Sequence, residues 1–174
     1  MSETIEFSRR YSLAEIGGTP RAVEIEADEA ERAALARRFA LVSLDGLAAQ
    51  ARLRAVAEGI EAEGTVRARV VQSCVATGAP LPAQLDEPFH ILFVPEAAET
   101  ADEVELDATA LDSVTHDGLA IDLGEAVAQT LGLALDPFPR AAGADEALKA
   151  AGVLQEGETG PFAKLKGLFD KPRD

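Results

Sequence analysis

Apolar and polar positions alternate from Arg21 to Ala27, with Val23 and Ile25 on one side and Ala22, Glu24 and Glu26 on the other. A period of two marks a half-buried strand. Thr4 to Tyr11 reads as an earlier strand, and Gly17-Gly18-Thr19-Pro20 separates the two. At Asp28 the period changes. Asp28 with Glu31 three residues on has the spacing of a capping box, and the Ala-rich run after it favours helix to about Phe39, with Leu35, Phe39 and Val42 as its apolar stripe. The alternation then returns twice, over Ala48 to Ala57 and over Thr65 to Ser73, on either side of a polar connector at 58–64 bracketed by Gly59 and Gly64. With the turn centred between Ile60 and Glu61, Arg52 stands opposite Arg69 and Arg54 opposite Arg67. All four arginines then share one face, and Leu53, Ala55, Val66, Ala68 and Val70 the other. A slip of one residue would bury arginines, so the pattern resists it.

Gln72 to Pro82 is a second turn, followed by a strand over Gln84 to Val94. Glu96 to Asp107 reads as an acidic loop entering a short strand, His116-Asp117-Gly118 as a turn, and Leu119 to Ile121 as a short strand. Asp122 with Glu125 starts a second helix, whose Leu123, Ala126, Val127, Thr130, Leu131 and Ala134 recur at helical spacing. Asp136-Pro137-Phe138-Pro139 ends it, and Ala144 to Ala151 forms a short helix. The fold class expected is α+β: a mainly antiparallel, curved or barrel-like sheet of five to seven strands, two principal helices at 28–39 and 122–134, and a mobile C-terminal tail. Residues 1–152 form one domain on this reading, and 153–174 a linker and tail.

Composition narrows the function classes. Apolar residues make up 47% and no unbroken apolar run is long enough to span a bilayer. Met1-Ser2-Glu3-Thr4 has neither a basic nor an apolar leader segment, so no secretory signal is expected and the cytoplasm is the default compartment. The net charge of −15 is unevenly distributed. Residues 86–158 hold seventeen acids against Arg140 and Lys149, whereas residues 1–85 hold ten arginines and twelve acids. Charges further apart than about 8–10 Å are largely screened at physiological salt, so an acidic block does not by itself exclude a basic face elsewhere. Solubility is the plain reading of that block.

Little in the chain has the pattern of catalysis. Cys74 is the single cysteine, and sequence does not place His90 or His116 beside it. No metal-ligand spacing, calcium loop or phosphate-cradling glycine loop occurs, so neither metal nor cofactor is expected. The Arg52, Arg54, Arg67, Arg69 face is the stronger signal, since forked guanidinium donors suit phosphates. No aromatic residue interleaves 52–54 or 67–69, so the face would meet a backbone or an acidic partner rather than stack on bases. A solvated or internally ion-paired outer face explains the same residues.

Three segments carry a resemblance. Val70 to Pro95 contains Cys74, the turn Thr77-Gly78-Ala79-Pro80, and Asp86-Glu87-Pro88-Phe89. Gly118 to Val127 (Gly-Leu-Ala-Ile-Asp-Leu-Gly-Glu-Ala-Val) leads to Leu133-Ala134-Leu135-Asp136-Pro137-Phe138-Pro139. Gly160-Pro161-Phe162-Ala163-Lys164-Leu165 follows. In order and spacing these resemble the YceD family, named for accumulation of large-subunit ribosomal RNA, and the turn without paired cysteines looks like its alphaproteobacterial branch. The resemblance implies a small cytoplasmic ribosome-biogenesis factor that supports 23S ribosomal RNA levels and has no catalytic activity. Many relatives carry Cys-x-x-Cys at the turn, which invites zinc. Here Thr77 stands at the second position and no later cysteine exists, so the turn is expected to be held by Gly78 and by Thr77 hydroxyl–backbone bonds.

Three function classes follow. A ribosome-biogenesis factor would use the arginine face for precursor ribosomal RNA, or the acidic 96–125 region for a basic ribosomal protein. An adaptor without nucleic-acid contact would dock its tail through Phe162, Leu165 and Phe169. An enzyme would need a pocket with convergent polar groups.

Overall fold

The computed structural model describes residues 6–96 and 112–152. The tail residues Phe162, Leu165 and Phe169, and most of the acidic 96–107 stretch, lie outside the described residues. By contact the chain divides into two compact units, Met1–Gln72 with Pro82–Pro137 and Ser73–Leu81 with Phe138–Asp174.

In chain order the elements are β1 (Arg10–Ser12), β2 (Arg21–Glu26), α1 (Glu29–Arg38), β3 (Ser43–Val56), β4 (Gly59–Ser73), β5 (Pro80–Pro95), β6 (Asp112–His116), β7 (Ala120–Asp122), α2 (Leu123–Ala134) and α3 (Ala144–Ala150). Strands β2 to β6 form one sheet in that order, and β1 pairs antiparallel with β7 in a second, two-stranded one. The larger sheet is antiparallel at β2–β3 and β3–β4 and parallel at β5–β6. The α+β class and the two principal helices agree with the expectation. Among the described residues the sheet stays open, with β2 and β6 as its edges, so it is barrel-like only in a loose sense. The strand expected over residues 4–11 is present only from Arg10, and β6 is a strand over 112–115, where the pattern predicts no element, ending at His116, where it predicts a turn.

The core lies on the inner face of the larger sheet. Leu47, Ala49, Ala51 and Leu53 of β3, Ala62, Val66, Ala68 and Val70 of β4, and Phe89, Ile91 and Phe93 of β5 are all buried with Leu35, Val127 and Leu131 from the helices. Two glycines let strands and side chains approach closely. A Cβ on Gly64 would lie 2.1 Å from the Gln50 carbonyl oxygen and 2.9 Å from the tip of the Phe89 ring. A Cβ on Gly59 would lie 2.0 Å from the Phe93 carbonyl oxygen.

The helices are placed by their ends. Helix α1 buries only Leu35, and Val42 is 59% exposed rather than part of a stripe, because the chain has already left the helix there. Asp28 accepts from the Glu31 N–H at 2.8 Å while Glu31 accepts from the Asp28 N–H at 2.8 Å, a full capping box. Glu31 also takes both arms of the Arg9 guanidinium, at 2.7 and 2.9 Å, and that pairing holds its carboxyl below the usual range. At the other end the Leu41 N–H reaches the Ala36 carbonyl at 2.9 Å and the Ala40 N–H the Arg37 carbonyl at 3.3 Å. These are the two bonds of a Schellman motif. Its left-handed position is Ala40, at φ 51°, where glycine is the usual occupant. Ala40→Gly is therefore expected to raise the unfolding free energy by about 0.5–1 kcal/mol, read as a higher urea midpoint at unchanged slope.

Helix α2 begins on Asp122, which accepts from the Glu125 N–H at 3.2 Å, the Arg9 N–H at 2.9 Å and the Ser8 hydroxyl. Gly124 lets the first turn lie against this segment, since a Cβ there would be 2.7 Å from the Phe7 carbonyl oxygen and the Arg9 nitrogen. Arg38 joins the two helices, donating to Glu125 at 2.8 and 3.0 Å and to Glu6 at 3.1 Å. Among the described residues no helix is long and apolar enough to cross a membrane.

The second unit contains the 74–79 turn and α3. The Gly78 N–H donates to the Cys74 carbonyl at 2.8 Å, the Cys74 N–H to the Ala79 carbonyl at 2.8 Å, and the Val75 N–H to the Pro139 carbonyl at 2.9 Å. Ala144, at the start of α3, is buried.

A candidate interaction surface on the outer sheet face

The outer face of the larger sheet is built from alternation. In β3 the even-numbered residues from Gly46 to Arg54 point outward, in β4 the odd-numbered ones from Glu61 to Arg69, and in β2 Ala22, Glu24 and Glu26. Arg52, Arg54, Arg67 and Arg69 are all exposed and share this face.

Their expected pairing is corrected by the register. Arg52 stands opposite Glu63, Arg54 opposite Glu61, Arg67 opposite Ala48 and Arg69 opposite Gly46. The hairpin closes on the Val56–Gly59 pair, so Ala57 and Glu58 form the turn and residues 59–64 of the expected 58–64 connector are strand. The four arginines thus fall into two pairs, separated by about 14 Å along β3 at a strand rise of about 3.4 Å.

Each arginine has its own surroundings. Arg54 Nε donates to Glu61 Oε2, and His90 Nε2 lies 2.6 Å from Glu61 Oε1. Those two partners, Arg54 first, pull the Glu61 carboxyl down to about 2. Arg67 Nε is 3.5 Å from Asp86 Oδ2. The Arg69 guanidinium lies flat on Gly46, where a Cβ would be 3.0 Å from its nearest nitrogen, and donates to the Asp45 carbonyl at 3.2 Å. Asp45 sits in the β3 register shift between Leu44 and Gly46, so Arg69 ties down a bulge. The Arg52 side chain has no hydrogen bond or ion pair among the described residues. The sequence reading missed Glu61 and His90 as the centre of this network. Their matching parity on neighbouring strands was the available signal, hidden by the wrong register.

Two shallow depressions mark the face. One, of about 650 Å³, is lined by Ala22, Glu24, Gln50, Arg52, Glu63 and Thr65 among others. The other, of about 370 Å³, lies over Gly46 and Ala48 between Arg67, Arg69, Gln84 and Asp86.

Cys74, Thr77, Gly78 and Pro80 belong to the second unit. Cys74 is 2% exposed, and its sulfur accepts from the Ala141 N–H at 3.3 Å. The Thr77 hydroxyl, with that N–H next in weight, draws the thiol down to about 7. Thr77 Oγ1 also accepts from the Ala79 N–H at 3.3 Å, and Gly78 adopts φ 73°. The turn thus contains one hydroxyl–backbone bond at Thr77 and a left-handed glycine at 78. Pro80 opens β5 and is exposed. Among the described residues no group of three or more His, Cys, Asp or Glu side chains is placed to hold a metal ion.

Other residues of the shared segments also serve the fold: Phe89 packs on Gly64, Asp122 caps α2, and Gly124 permits its close approach. No curated protein and no solved structure matches the chain. A family model described as "Large ribosomal RNA subunit accumulation protein YceD" matches residues 62–169, which is 108 of the 174 residues. With most of its length matched in this way, the chain belongs to the YceD family.

Proposed function

We propose that the chain supports accumulation of large-subunit ribosomal RNA as a non-enzymatic cytoplasmic factor that holds a basic polypeptide of the large subunit. One observation carries this reading. The outer face sets five carboxylates (Glu24, Glu26, Glu61, Glu63 and Asp86) among its four guanidinium groups, in a chain of net charge −15. A phosphate backbone is bound by cations free to release its counterions. Arg54 and Arg67 already face carboxylates, and Arg69 serves a bulge. A basic protein meets the opposite situation, since complementary charge steers its encounter and disfavours wrong partners.

Direct contact with precursor ribosomal RNA is the second reading, favoured by Arg52, which has no partner among the described residues. The two separate on one variant with Arg52, Arg54, Arg67 and Arg69 all changed to Gln. Retention of precursor RNA on the purified chain is expected to change by less than about twofold, with the salt dependence unaltered. A log–log salt slope that becomes shallower by about 3 in the variant would move the reading to RNA. Docking of a tail through Phe162, Leu165 and Phe169 would appear instead as loss of the partner on deleting residues 157–174 with the arginines intact.

A further inference from the structure

We infer that the free edge of β2 takes an extended basic polypeptide segment as an added strand. This rests on the basic-partner reading above and gives it a site.

The backbone of β2 has one side already used. The Ala27 N–H donates to the Leu47 carbonyl at 2.9 Å, and Ala27 continues the register that pairs Glu26 with Ala48. Antiparallel pairs alternate between bonded and non-bonded. Arg21, Val23 and Ile25 therefore bond β3, and Ala22, Glu24 and Glu26 direct their N–H and C=O groups away from it. The Glu26 carbonyl confirms the parity, because it accepts from the Arg9 guanidinium at 2.8 Å on that outer side. Ala22 and Glu24 are exposed, and no hydrogen bond reaches their backbone groups among the described residues. Arg9 closes one end of the edge and leaves the Ala22–Glu24 stretch open, without the proline or lysine that often blunts an edge strand.

Charge selects the occupant. Glu24 and Glu26 project from the edge onto the outer face, and the 650 Å³ depression begins at Ala22 and Glu24 and continues to Glu63. A lysine or arginine on an added strand folds over into that depression and meets Glu24. Like charges facing each other across neighbouring strands are destabilising. That disfavours a second copy of β2, which would set Glu24 and Glu26 against their equals. It also disfavours this chain's own 97–111 stretch, which has five acids and no lysine or arginine. An RNA has no strand to add.

The test uses the full-length chain, labelled for amide hydrogen exchange, with an acetylated and amidated peptide of three Lys-Val repeats as probe and three Glu-Val repeats as control. The basic peptide is expected to slow exchange at the Ala22 and Glu24 amides at least about tenfold, and the acidic one to leave them unchanged. Glu24→Pro removes an outward N–H without touching the β3 ladder and is expected to weaken peptide binding at least about tenfold, since proline is tolerated where the N–H faces solvent. If that variant does not fold, the exchange measurement on the unaltered chain decides alone. Peptide binding with Ala22 and Glu24 exchanging as before overturns strand addition and leaves the basic-partner reading standing. Amides already protected in the chain alone also overturn it. Absence of any binding to the basic peptide overturns both.

Discussion

Replacing Phe93 with alanine is expected to lower the unfolding free energy by about 3–5 kcal/mol, the largest effect of any single substitution considered for this chain. Phe93 is 1% exposed and lies in the inner layer with Phe89 and Ile91. Truncating it removes a ring from water-excluded surroundings and leaves a void. The neighbouring backbone has little freedom to fill that void, because β4 already touches β5 at Gly59, close to the Phe93 carbonyl. Typical domains have only about 5–15 kcal/mol to lose, so a large share of the stability would go with one side chain. Urea unfolding followed by circular dichroism measures it as a fall in midpoint at constant slope. A loss under about 1 kcal/mol would show that Phe93 is not the packed core residue described.

Gly64→Ala is expected to cost about 3 kcal/mol, at the upper end of overpacking effects, although it adds one methyl group. The new carbon would lie 2.1 Å from the Gln50 carbonyl oxygen and 2.9 Å from Ala51 Cα. Both are backbone atoms of the neighbouring strand and cannot rotate aside, so β3 and β4 must separate locally. The Phe89 ring, at 2.9 Å, loses its seat at the same time. Gly17→Ala is the control, since a Cβ there meets nothing within 4 Å. It is expected to change stability by less than about 0.5 kcal/mol. Equal urea midpoints for the two variants would refute the close approach of β3 and β4 at Gly64.

The same glycine explains where sequence reading succeeded and where it failed. Alternation fixed the faces of β2, β3 and β4, because a buried face tolerates no error of parity. The capping residues Asp28 and Asp122 located both helix starts, because their side-chain bonds are local. Register was lost because Gly59 and Gly64 read as the brackets of a loop. Their reason is instead tertiary, the β5 backbone at Phe93 pressing against Gly59, and the β3 backbone together with the Phe89 ring pressing against Gly64, and no local pattern announces it. The actual turn, Ala57-Glu58, lacks the Asn-Gly or Asp-Gly chemistry that marks tight hairpins. Strand β6 was missed for a similar reason. Asp112-Ser113-Val114-Thr115-His116 has little apolar alternation, and it is a strand because β5 offers it a parallel partner. Of the candidate surface, the shared arginine face was legible. Its acidic counterparts were not, because the pairings of Arg54 with Glu61 and of Arg67 with Asp86 depend on register and on which strands become neighbours.

Asp122 has a bearing on how the chain matures. It gathers Ser8, Arg9 and Glu125 at one carboxylate, and Arg9 is 113 residues away from it. A growing polypeptide leaves its site of synthesis amino end first. The Arg9 guanidinium can meet Glu31 early, but the Ser8 hydroxyl, the Arg9 N–H and strand β1 must wait for their partners until β7 and the start of α2 have been made. Closure of the first unit is thus a late, long-range event, in which β1 is among the last elements to find its partner.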